Sequence, residues 1–184
     1  MNYQEFERAK ETFPLRAYEK EFKELEAIRR SFVRQFSLRK LEDMTINQFV
    51  EGKGSTDSFC YIHERKLDGL GRIRGRWANK FGVWYSSETE KYEFKPKYGK
   101  NQKEAFYNLK HNIIQLIKDA ERGDIKALIS NPIDSWIKGK ILSTYFPNRY
   151  LNIFSGEHLN HFLRFFDLDT KKLMRSDAIL KREA

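Results

Sequence analysis

Lys80 to Gly99 reads KFGVWYSSETEKYEFKPKYG, and this stretch decides the fold class. Phe81, Val83 and Tyr85 alternate with Gly82 and Trp84, and Tyr92 and Phe94 alternate after the polar run SSETE, the pattern of a two-stranded antiparallel hairpin. Pro96 ends the second strand or holds it at an edge. Everything around this hairpin reads as helix, so the chain is expected to be α+β: a mostly helical single domain with one small antiparallel element.

Upstream, Leu15, Tyr18, Phe22, Leu25, Ile28, Phe32 and Phe36 recur every three or four residues and predict one long helix. TINQFVEG predicts a shorter one, with Thr45 as N-cap and Gly52 beyond its end. GKGSTDS (52–58) reads as a loop, and SFCYIHERKLDGL as a short helix starting at Asp57 or Ser58 and ended by Gly69, although Phe59, Ile62 and Leu67 fit neither period. Downstream, Asn101 and Glu104 form a capping-box start for a helix with the stripe Phe106, Leu109, Ile113, Leu116, Ile117 and Ala120, stopped by Gly123. Asp124 caps a helix over IKALI. NPIDSWIKGKILSTYF predicts another, with Pro132 near its first turn and Ile133, Trp136, Ile137, Ile141 and Tyr145 inward; PNRYLNIFS is a connector, and Ser155 caps GEHLNHFLRFF. Residues 1–168 are expected to form the domain, divided into a helical part (1–50), a loop and hairpin region (51–100) and a second helical part (101–168). Residues 169–184 read as the start of a linker helix toward a further domain.

The 184 residues include fifteen Phe, nine Tyr and three Trp, enough bulky apolar mass for a folded core. The single cysteine, Cys60, excludes an intrachain disulfide and a multi-cysteine zinc site. No signal or transit pattern opens the chain and no run reaches the roughly 20 apolar residues of a membrane span, so a cytoplasmic, soluble protein is expected. Net charge is +9, and residues 65–103 hold 11 Lys and Arg against 4 Asp and Glu, a local excess of 7 that points to a polyanionic partner.

Several chemistries fail on spacing. In GKGSTDS, Lys53 precedes a glycine, the reverse of the order a phosphate-binding loop needs. Asp68 and the Glu93–Phe94–Lys95 triplet do not make a metal-dependent nuclease centre, because the triplet sits on a hairpin beside a proline. Of His63, His111, His158 and His161, the last two fall on one helix without further ligands nearby. Cys60 has no base partner in sequence and reads as a small buried residue. No catalysis, metal or cofactor is expected.

GLGRIRGRWANKFGVWYSS (69–87) has the strongest pattern, with four of the ten glycines and two of the three tryptophans. On an extended backbone the alternating Arg72, Arg74 and Arg76 project to one side, where guanidinium forks can bridge phosphates. Lys80, Lys95, Lys97 and Lys100 extend the expected phosphate contacts, Gly71 and Gly75 allow close approach to a ligand, and Trp77, Trp84 and Tyr85 offer stacking surfaces for a base.

The run DSFCYIHERKLDGLGRIRGRWANKFGVWYS, joined downstream by KILSTYFPNRYLNIFSGEHLNHFL, resembles an N-terminal domain found ahead of the AAA+ GTPase module in McrB-like restriction subunits. The likeness covers about residues 57–163 and rests on DSFCY with Glu64, LGRIRG, KFGVWY and KILSTYFPNRYLNIFS. The resemblance implies a DNA-recognition module of a modification-dependent restriction system active in phage defence. Its target would be double-stranded DNA, often carrying a modified base, while a GTPase ring and a partner nuclease subunit complete the assembly. The GTP-binding motifs of that family are absent from these residues, so this piece is expected to be a non-catalytic monomer. Two alternatives follow from the same basic, aromatic composition: a protein-interaction module meeting an acidic partner, and an RNA-binding domain.

Overall fold

The computed structural model describes residues 3–73 and 78–183, and these form a mostly helical α+β domain. Helices α1 (Tyr3–Thr12), α2 (Leu15–Gln35), α3 (Leu38–Glu42), α4 (Ile46–Phe49) and α5 (Phe59–Tyr61) precede the sheet; its strands are β1 (Val83–Ser86) and β2 (Lys91–Phe94). Then follow α6 (Gln102–Arg122), α7 (Ile125–Ser130), α8 (Ser135–Tyr145), α9 (Gly156–Phe165), α10 (Lys171–Met174) and α11 (Ala178–Glu183). Among the described residues no helix is long and apolar enough to cross a membrane.

Helix α6 is the central beam. Its buried face, Ala105, Leu109, Ile113, Leu116, Ile117 and Ala120, receives α3, α7, α8 and the hairpin. Asn101 accepts from the Glu104 amide at 3.0 Å, while the Glu104 carboxylate turns back to the Lys100 amide (2.9 Å) rather than to that of Asn101. Gly123 closes the helix at φ +73°. Thr45, Asp124 and Ser155 cap α4, α7 and α9 as their sequences predict.

The hairpin pairs Val83 with Phe94, Trp84 with Glu93, Tyr85 with Tyr92 and Ser86 with Lys91. Tyr85, Tyr92 and Phe94 pack on the core beside buried Val83, leaving Trp84, Ser86, Lys91 and Glu93 on the other face. Phe81 is not on the strand as expected: it ends a 3₁₀ turn over Ala78–Phe81 and reaches the core from there.

Three other expectations change. From Ser58 the chain makes one α-turn (α5), then a π-turn over Ile62–Lys66 and a 3₁₀ turn over Asp68–Leu70. This changing pitch turns Phe59, Cys60, Ile62, His63 and Leu67 all inward, which no single period allows. Helix α8 begins at Ser135, after Pro132, and from Ile137 to Thr144 it is buried all round, its two lysines included. Residues 171–183 do not form one helix leading away: α11 seats Ile179 fully in the core, and Arg182 donates twice to the Ile153 carbonyl (3.0 and 2.7 Å).

The stripe on α2 is buried at one end only. Phe32 is 1% exposed, packed among Phe36, Phe59 and His63, whereas Phe22 is 60% exposed. The C-terminal half of α2 lies on α8 and the π-turn; the N-terminal half extends beyond them. Phe32→Ala is therefore expected to lower unfolding free energy by about 3–5 kcal/mol and Phe22→Ala by less than about 1 kcal/mol, read from urea midpoints.

Candidate nucleic-acid interface

The segment 67–73 passes over α8 and is held there by Lys140. That side chain is almost fully buried, and its Nζ donates to the carbonyls of Leu67, Leu70 (3.1 Å) and Gly71 (2.7 Å). Burial pushes the Lys140 ammonium down to about 8, with the Asp68 carboxylate acting in the opposite direction. Gly71 follows at φ +98°; a Cβ there would lie 2.7 Å from the Phe154 ring and 2.8 Å from the Asn152 carbonyl. Its close approach is thus to the protein's own Phe154, not to a ligand. Ile73 is buried, so Arg72, between two seated residues, projects outward with its side chain 75% exposed and its Nε 3.7 Å from Asp68.

Beside Arg72 opens a cleft of about 420 Å³, within the range of small-ligand sites. Arg72 and Ile73 form one wall, Trp136 of α8 a second, and Asn152, Ile153 and Phe154 a third; Ser155, Glu157 and His158 at the start of α9 complete it. Phe154 is fixed from behind, with the Lys140 and Arg182 cations each 6.0 Å from its ring centre. At the start of α8, next to Trp136, Asp134 binds both Lys95 (2.8 Å) and Lys97 (2.5 Å). Those lysines hold the Asp134 carboxyl below its usual range against burial, which acts most strongly and in the other direction.

The expected residues scatter more widely than the sequence suggests. Arg74, Gly75, Arg76 and Trp77 lie outside the described residues. Lys80 is not a phosphate contact: its ammonium is buried against Glu64, out of reach of a ligand. Lys95 and Lys97 are engaged by Asp134, while Lys100 is exposed. Trp84 and Tyr85 do not share one stacking face. The Tyr85 ring lies on the core side against Tyr92 and under Lys53; the cleft of about 410 Å³ that Trp84 and Tyr85 both line also carries Glu88 and Glu93, which disfavour a phosphate. What sequence reasoning missed is Trp136, Phe154 and Asn152. Trp136 carried the periodicity of a core residue and Phe154 lay in an apparent connector; their only signal was proximity in sequence to Lys140, which became informative once its carbonyl partners were known.

His63 stands in the core against Phe32 and Phe59, held neutral because burial pushes its pKa well down. Cys60 is buried and burial pushes its thiol up. Among the described residues no group of three or more His, Cys, Asp or Glu is placed to hold a metal ion. No protein family, curated protein or solved structure gives a significant match to the chain.

The Glu64–Lys80 pair gives a pH test. Burial pushes the Glu64 carboxyl up, Lys80 holds against it, and neighbouring Glu51 adds to the rise. Lys80→Met removes that restraint and lifts the folded-state Glu64 carboxyl further above its unfolded value, so more stability is lost as pH rises above the ordinary carboxylate range. Urea unfolding of Lys80→Met should show a loss of about 3–5 kcal/mol at pH 7 and a smaller one at pH 5.

Proposed function

We propose that this chain is a DNA-binding specificity module of a restriction or defence system, of the kind that stands ahead of the GTPase in McrB-like subunits, and that it reads a base in the Arg72–Trp136–Phe154 cleft. The observation that carries this reading is the cleft itself: Trp136, Phe154, Asn152 and the exposed Arg72 together line a space of about 420 Å³. Aromatic faces stack on any base, and an asparagine amide matches the edge of adenine. Arg72 at the rim, with Lys95 and Lys97 near Trp136, supplies phosphate contacts, and these give affinity that falls with salt. A modified base turned out of the duplex fits this division of labour, because the aromatic walls reward unstacking while the cations hold the backbone. In the parent protein the GTPase ring and nuclease subunit would then act on the selected DNA.

A second reading has its own observation. Tyr3, Phe13, Leu15, Tyr18 and Phe22 are all more than half exposed along α1 and α2, an apolar strip that suits a protein partner.

Fluorescence anisotropy with matched duplexes, unmodified or carrying 5-methylcytosine, 5-hydroxymethylcytosine or N6-methyladenine, at two salt concentrations, tests the DNA reading. One modified duplex is expected to bind more tightly at both salts. That preference should disappear in Trp136→Leu and Asn152→Ala and persist in Trp84→Ala, and Arg72→Ala should lower the log–log salt slope by about 1. Absence of salt-sensitive binding to every duplex sinks the DNA reading and leaves the protein-partner one.

A further inference from the structure

A buried ammonium is a costly way to fill a core position; methionine has similar length and needs no desolvation. Lys140 nevertheless sits in α8 with the three N–H donors of its ammonium aimed at three carbonyls, all within five residues of one another. The 3₁₀ turn over Asp68–Leu70 ends there, and the Leu70 and Gly71 carbonyls are turned toward α8 instead of water. A helix end buried in this way requires donors from elsewhere. The second hold is the Phe154 ring, against which only a residue without Cβ fits at Gly71. Both holds come from one downstream run, 140–154, and both act on the residues immediately before Arg72. Ile73, buried, fixes the other side.

We propose that Lys140 is the positioning residue of the recognition surface: it touches no ligand, and by fixing the carbonyls of 67–71 it sets where Arg72 stands at the mouth of the cleft. The proposal rests on the reading of that cleft as a nucleic-acid site. Loss of the Lys140 ammonium releases the turn from α8 while the apolar packing beneath it stays filled. Arg72 then keeps its charge but loses its fixed place, so affinity falls while the number of phosphates neutralised does not.

The experiment is Lys140→Met in the full chain, with two readouts. Hydrogen exchange of the amides of 67–73, measured without DNA, is expected to quicken at least tenfold, with α6 amides unchanged. Anisotropy with the wild type's preferred duplex is expected to show at least tenfold weaker binding with an unchanged salt slope, in contrast to Arg72→Ala. Unchanged exchange overturns the proposal whether or not DNA binds. Quickened exchange with undiminished affinity also overturns it, as does a salt slope lowered by about 1, which would make Lys140 a direct phosphate contact. If the wild-type chain binds no duplex, the reading of the cleft fails, and with it the claim about recognition, while exchange alone still decides whether Lys140 holds the turn. Should Lys140→Met not fold, Gly71→Ala strains the same turn from the Phe154 side and is judged by the same two readouts.

Discussion

The fold depends on cations that close carbonyl ends from inside. Helix α8 is buried on nearly every side, and its two lysines spend their charge on backbone: Lys138 donates to Leu128 and Ile129 at the end of α7, Lys140 to the turn before Arg72. The same device recurs elsewhere. Arg29 closes the end of α8 at Thr144, Arg149 the end of α6 at Ala120, and Lys110 reaches the carbonyls of Glu42 and Met44 after α3. Each contact joins two elements and satisfies acceptors that a helix end leaves open, in addition to the favourable placing of a cation there. Short helices meeting at many angles leave many such ends; basic side chains supply donors long enough to reach them.

This use of charge explains what was and was not legible. Caps and stripes are local, so Thr45, Asn101, Asp124, Ser155 and Gly123 mark their helices in the sequence, and the beam α6 follows from its own spacing. Lys80 and Lys140 carry no comparable mark. Lys80 sits between arginines and an aromatic strand, the setting of a surface cation, and Glu64, sixteen residues upstream, draws it inside. Phe22 and Phe32 share a helix and a stripe; their different burial depends on where α8 lies, which periodicity cannot encode. The π-turn likewise arises from competition among Phe59, Ile62, His63 and Leu67 for one interior.

The sequence blocks on which the proposed McrB-like reading rests meet in space. Glu64 joins Lys80, linking the block around DSFCY to KFGVWY; Lys140 and Phe154, from the downstream block, hold Leu70 and Gly71 of LGRIRG. A packing requirement therefore accounts for those residues occurring together. It also separates two questions that composition merges. The buried motif residues build the platform, whereas Arg72 and Asn152 of the same blocks, with Trp136, would on the proposed reading determine what binds.

Electrostatics favour a polyanion less than the local excess of 7 implies. Of the eleven cations between 65 and 103, Lys80 is buried, Arg65 meets Glu51, Lys66 meets Asp57, and Lys95 and Lys97 share Asp134. A phosphate approaching Lys95 or Lys97 competes with a carboxylate already in place, so only the surplus of two lysines over one carboxylate attracts it. Exposed pairs of this kind are weak and screened by salt. On the proposed reading, charge at this surface guides approach and orientation, and discrimination falls to the cleft that Trp136 and Phe154 line.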